Sequence, residues 1–225
     1  MNTLNMKKLL LMCLLLICIV SAKAQTVQDL FHPGEVKISW LGVDFSHVKL
    51  IGNFAEFFEA GDKSTWQIRD IYFPSWNRII LEESAKYDIR GMLRTYDIYY
   101  DIDMIMDLNA RAPLEEMESY NTPKFTGEDI ESFVRDYNLE GKEGIGVLFI
   151  AECLNKSAME AYFHFVAINM VTGEVLLHER LRGEPKGFGL RNYWANSMYR
   201  IIKDIQYYYY GSWKSKIAEK QGNAV

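Results

Sequence analysis

Apolar residues from Val36 to Phe45 fall on both faces of an alternating pattern, Val36, Ile38 and Trp40 on one and Leu41, Val43 and Phe45 on the other. That pattern predicts an interior strand, with His47 to Ile51 extending it after a bend. Asn53 opens a short helix to Glu59, which Gly61-Asp62 ends. Residues 65–86 are helical in spacing but interrupted at Phe73-Pro74. Proline suits the first turn of a helix and not its interior. Two helices are therefore expected, the second starting at Pro74 with Trp76, Ile79 and Ile80 buried. Leu93 to Tyr100 alternates as a strand, Asp101 or Asp103 caps a helix through Arg111, and 112–124, with two prolines, is a loop. Thr126 with Asp129 three residues on forms a capping box for a helix to about Tyr137.

The C-terminal third has the sharpest pattern. Ile145 to Leu154 reads as a buried strand, then Ala161 to Asn169, a turn at Val171-Thr172-Gly173, and a strand from Glu174 to Arg182. In that last strand Val175, Leu177 and Leu181 face one way and Leu176, His178, Arg180 and Arg182 the other, so one side is wetted. Leu190, Trp194, Met198, Ile201, Ile205 and Tyr208 then step by three or four along one helix face. Gly211 is expected to break this helix, and 214–225 to fray. The elements predict an α+β fold in one domain, 25–213: a mixed, partly antiparallel sheet with helices mainly on one face and a long C-terminal helix.

The segment Gly144 to Ile205, with its Thr172-Gly173 turn and closing helix, resembles the last part of the amino-terminal domain of TolB and of the curli-secretion lipoprotein. The whole chain is more similar to small secreted Bacteroidetes proteins of unassigned function, particularly at Gly187-Phe188-Gly189-Leu190-Arg191-Asn192-Tyr193-Trp194. It departs from these domains in having no acylation cysteine and no propeller repeats.

The first 24 residues change where such a domain is expected to work. Lys7 and Lys8 precede an uncharged apolar run from Leu9 to Val20, and Ser21-Ala22-Lys23-Ala24 supplies the small residues of a cleavage site. The run is shorter than the ~20 apolar residues of a spanning helix. Neither Cys18, after Ile17, nor Cys13, after Met12, has the small residue that lipid attachment requires before it. The expectation is a cleaved signal peptide, a mature chain starting at Gln25 with no integral membrane segment, and a periplasmic or secreted location. The ending Ala22-Lys23-Ala24-Gln25 also resembles Bacteroidetes signals.

Cleavage leaves 22 basic against 30 acidic side chains, net −8. That balance argues against a nucleic-acid partner or an anionic membrane surface. It also leaves Cys153 alone, so no internal disulfide can form. Strict alternation puts Cys153 on the face of Val147 and Phe149, as a buried core thiol.

Two stretches carry candidate chemistry. Asp97, Asp101, Asp103 and Asp107 lie close together, and Asp101-Ile102-Asp103 follows the expected strand. Two carboxylates there would hold Mg²⁺ or attack phosphate, or one would simply cap the next helix. The stretch resembles the opening motif of haloacid-dehalogenase phosphatases, although Ile105 stands where that motif has Thr or Val. In the second stretch, Gly187 and Gly189 free the backbone ahead of a helix N-terminus, with Lys186, Arg191 and Asn192 beside them. Such a loop suits a carboxylate, a phosphate or an acidic peptide, or is a tight connection in which glycine supplies unusual dihedrals. His32, His47, His164 and His178 are scattered singly and read as structural or solvated, and no cofactor motif is present. The expectation is a non-enzymatic module binding a partner protein or small anionic ligand through Lys186, Gly187, Gly189, Arg191 and Asn192. The alternative is a metal-dependent hydrolase using Asp101 and Asp103.

Overall fold

A computed structural model describes residues 25–32, 34–54 and 64–222. The signal segment, 1–24, and residues 55–59 of the helix expected from Asn53 lie outside the described residues. Strands β1 (Ile38–Asp44) and β2 (Lys49–Ile51) lie end to end along one edge of the eleven-residue β5 (Ile145–Asn155), and both pair with it in parallel. Outside them, the two-residue strands β3 (Tyr99–Tyr100) and β4 (Glu118–Ser119) pair in parallel with β1 and β2 respectively. The other edge of β5 carries the hairpin of β6 (Glu160–Asn169) and β7 (Val175–Gly183), paired antiparallel.

This overturns the expected fold class. The five strands β3-β1-β5-β2-β4 are linked by parallel pairings alone, and helices flank the sheet on both faces, an α/β arrangement rather than α+β with helices mainly on one face. One face is covered by α1 (Phe73–Glu82), α2 (Ile89–Leu93), α5 (Leu190–Asp204) and α6 (Tyr210–Gly222). The other is covered by α3 (Asp103–Asn109) and α4 (Gly127–Val134), through Ile105, Ile130 and Val134. Strand β5 is buried along its whole length because both faces are covered.

Three one-residue register shifts change which side chains go where. An extra residue in a strand inverts the alternation beyond it. In β1 the shift lies between Trp40 and Gly42, so Val43 and Phe45 join Ile38 and Trp40 in the larger core while Leu41 enters the other. In β5 the shift between Ala151 and Cys153 puts Cys153 opposite Tyr162, on the face of His164 and not that of Val147 and Phe149. In β7 the extra residue is Leu176, which packs on the larger core, while Val175 packs on the smaller.

Other elements differ from expectation for local reasons. Residues 65–82 form one continuous helix: a turn at Thr65–Gln67, a π-helical turn at Ile68–Tyr72, then α1. Proline has no N–H to donate, and here the wider turn ahead of Pro74 replaces the expected break. Leu93 ends α2 instead of opening a strand, which is reduced to Tyr99–Tyr100. The C-terminal helix passes through a second π-helical turn, Ile205–Tyr209, and through Gly211 to Gly222, held by the buried Tyr210 and Trp213. Among the described residues no helix is long and apolar enough to cross a membrane.

Candidate functional site

The aspartates do not converge. The backbone N–H of Asp101 donates to Trp40 O (2.9 Å), and its carboxylate takes a hydrogen bond from Lys142 Nζ at 2.5 Å. Asp103 is the first residue of α3, where its charge suits the helix dipole, but the N-cap position is Ile102 and neither aspartate caps with its side chain. Among the described residues, no three His, Cys, Asp or Glu side chains are grouped as metal ligands.

The glycine loop is a tight connection. Gly187 and Gly189 have φ of +122° and +77°, values open to glycine and strained for other residues, and Gly189 is the N-cap of α5. Lys186 N–H donates to Tyr193 O (3.1 Å) and Tyr193 N–H to Gly189 O (3.0 Å). Arg191 turns away from the loop toward α1: its Nε donates to Ser75 Oγ (2.8 Å), and its carbonyl accepts from Trp76 Nε1 (2.9 Å). Lys186 and Asn192 are exposed beside it.

A buried charged network was not foreseen. Glu152 Oε1 accepts from Arg180 Nη2 (2.5 Å), and Oε2 accepts from Phe125 N–H (2.9 Å) and His164 Nε2 (2.9 Å). His164 Nδ1 meets His178 Nε2 at 2.5 Å, and the Phe125 ring stacks on His164. Burial alone would raise the Glu152 carboxyl, but the bonds from His164, Arg180 and Phe125 outweigh it and hold it at about 2. With His164 Nε2–H donating to that carboxylate, the ring's Nδ1 is the side that accepts from His178 Nε2–H. Burial, and then His164 alongside, lower His178 to about 4, against the pull of Glu152. Burial, with Glu152 nearby, pushes the Cys153 thiol up to about 12, which makes it a poor nucleophile. The network ties β5, β6 and β7 to the segment leading into α4. Polar residues inside a buried run, Glu152 above all, were the available signal.

A second buried polar group sits where β1 stops. Asn77 Oδ1 accepts from Val43 N–H (2.7 Å), and its Nδ2 donates to Val43 O (2.9 Å). Asn109 Oδ1 accepts from Phe45 N–H (2.6 Å), and its Nδ2 donates to Val43 O (2.8 Å). Asp44 accepts from Ser46 Oγ (2.6 Å) and from Tyr137 OH (2.6 Å). Burial, then Asp44, raise the Tyr137 hydroxyl well above its ordinary value, so it remains a donor.

Exposed aromatic and charged side chains lie together beside β3, at the sheet edge. A concavity of about 550 Å³ is lined by Ser84, Arg90, Tyr96, Asp97, Tyr99 and Tyr100, among others. Tyr96 is 91% exposed, Tyr99 55% and Tyr100 39%. A smaller hollow of about 270 Å³ shares Tyr96, Asp97 and Tyr99, so these residues form a ridge between the two. Lys37 Nζ lies 4.9 Å from the Tyr99 ring centre on the smaller hollow's side and also pairs with Glu143 (3.5 Å). Among the described residues, Arg90 and Asp97 make no side-chain hydrogen bond or ion pair, although they line one hollow with opposite charge. Of the expected site residues, Asp101 follows this stretch directly in sequence, while the glycine-loop residues are absent from its lining. Compared with known proteins, the chain matches no family model, no curated sequence and no solved structure.

Proposed function

We propose that the protein is an exported, non-enzymatic binding module whose recognition surface is the tyrosine ridge beside β3. The observation that carries this reading is the set of three exposed tyrosines around a guanidinium and a carboxylate that, among the described residues, make no side-chain hydrogen bond or ion pair. Exposed aromatic rings forgo burial in the folded monomer, and tyrosine offers both an apolar face and a hydroxyl to a partner. The hollow is also of a size used for small ligands or the end of a larger one. Arg191, the strongest cation of the glycine loop, is already engaged by Ser75, so the ridge and not that loop supports binding best.

Export rests on the charged, apolar and small-residue segments of 1–24. Expressed with its leader, the chain should leave the cytoplasm, and its amino-terminal sequencing should begin at Gln25. Recovery of uncleaved chain in the cytoplasm would end that part of the proposal. For binding, the isotope-labelled mature chain is titrated with polysaccharide, peptide and protein fractions of the cell envelope. A saturable shift of the Tyr96 to Tyr100 amides by any fraction supports the module. If those amides move with none of them, the reading fails.

A further inference from the structure

We propose that the ligand of the tyrosine ridge is a neutral saccharide, an inference that rests on the binding reading above and names its substrate class. Three features select this chemistry. Arg90 and Asp97 line the same hollow, and among the described residues neither side chain is in a hydrogen bond or ion pair. An anionic ligand drawn to Arg90 would be repelled by Asp97, and a cationic one would meet the reverse. A neutral ligand rich in hydroxyls satisfies both, because each hydroxyl donates to a carboxylate and accepts from a guanidinium. Ser84 adds a third group of the same kind.

The second feature is the three rings. Tyr96, Tyr99 and Tyr100 present apolar faces and hydroxyl edges within five residues of chain. A pyranose ring has a matching character, with C–H bonds clustered on one face and hydroxyls around the rim, so it stacks on an aromatic ring while its edge makes hydrogen bonds. Third, the ridge has a hollow on each side, about 550 and 270 Å³, sharing Tyr96, Asp97 and Tyr99. A chain of sugars can cross the ridge with one unit in each hollow, whereas a single small ion would fill neither.

The rings carry most of the contact and Arg90 with Asp97 set the orientation. Both charges stay paired with hydroxyls in the complex, so binding changes little with ionic strength. That behaviour separates a neutral sugar from an acidic glycan or peptide, whose affinity would fall as salt screens Arg90.

The test titrates the mature chain, by calorimetry and by amide shifts, with neutral hexasaccharides of glucose, mannose and N-acetylglucosamine. Polygalacturonate and an acidic peptide are titrated alongside. Saturable binding of a neutral hexasaccharide, with shifts at Tyr96 to Tyr100 and unchanged affinity from low to high salt, is the expected result. Tyr99→Ala should weaken it about ten-fold, the size of one lost aromatic contact. Asp97→Asn and Arg90→Gln should each weaken it while leaving the fold intact. Tyr96→Ala, at a fully exposed position, serves where Tyr99→Ala disturbs β3. The saccharide assignment is overturned if none of the neutral sugars binds, or if binding persists unchanged in the tyrosine variants. It is also overturned if only the acidic ligands move these amides, an outcome under which the binding module itself stands. Silence of the ridge toward every probe and every envelope fraction removes both.

Discussion

Asn77 and Asn109 do for β1 what a neighbouring strand would do. They come from α1 and α3, on opposite faces of the sheet, and their amides supply the donors and acceptors of a missing ladder at Val43 and Phe45. Buried backbone groups have to be paired, and Val43 carries three of these bonds, so the strand can end inside the protein. Asn77→Leu should therefore cost more than its volume suggests: about 2–4 kcal/mol in denaturant unfolding, from an orphaned Val43 N–H in an apolar site. A loss below ~1 kcal/mol would show that Asn109 compensates. Gly42 makes the approach of Asn77 possible. Its φ is +105°, and a Cβ there would lie 2.6 Å from Asn77 Oδ1. Gly42→Ala combines left-handed strain with that overlap and should destabilise by about 2 kcal/mol or more. Combined with Asn77→Leu, the two costs should fall short of additive, because both act on one contact.

At the scale of elements, the readable parts were those in which local pattern and tertiary environment agree. The Thr126 and Asp129 side chains form the capping box that their spacing implied (2.7 and 3.2 Å to the reciprocal N–H groups). The strands β5, β6 and β7 form where their apolar runs placed them. Leu190, Trp194, Met198, Ile201 and Ile205 are buried as their spacing implied, whereas Tyr208, beyond the start of the π-helical turn, is exposed. Alternation failed where one extra residue entered a strand, because nothing local marks Leu41, Glu152 or Leu176 as the insertion. The ridge was illegible for a related reason: Leu93 to Tyr100 alternates like a strand, and only tertiary context shows that its tyrosines face out. Gly211 read as a helix breaker, yet Tyr210 and Trp213 anchor the helix on either side of it. Packing has overridden a propensity deficit. Since the nearest atom to a Cβ at Gly211 is Arg94 Nη2 at 4.0 Å, Gly211→Ala should fit. It should stabilise the protein by about 0.5–1 kcal/mol, seen as a higher melting temperature. Destabilisation would mean that the π-helical turn before it needs the glycine.

For the whole molecule, the Glu152 network makes two contributions to how stability varies with pH. Folding takes His178 from an ordinary value of 6.5 down to about 4, so between those values the unfolded chain holds more protons than the native one. Stability therefore falls as pH drops from 6.5 toward 4. Glu152 is likewise lowered from 4.5 to about 2, so its contribution, full above 4.5, is lost as pH falls through 2. The two windows adjoin, and the native chain should lose thermal stability in successive stages across them. His178→Gln keeps a donor for His164 Nδ1 but cannot titrate, so its melting temperature should fall less than the native chain's between pH 6.5 and 4, while the lower stage persists. Glu152→Gln should shrink the lower stage and lower stability at neutral pH as well, since Arg180 and His164 then lack their acceptor charge. The difference between wild-type and variant profiles isolates these groups from the other carboxylates and histidines. Parallel profiles for the native chain and His178→Gln from pH 6.5 to 4 would show that His178 is not held neutral in the folded protein. Because the network joins three strands to the segment before α4, the same titration should also appear there. Amide exchange around Phe125 should quicken in the upper window in the native chain and stay slow in His178→Gln.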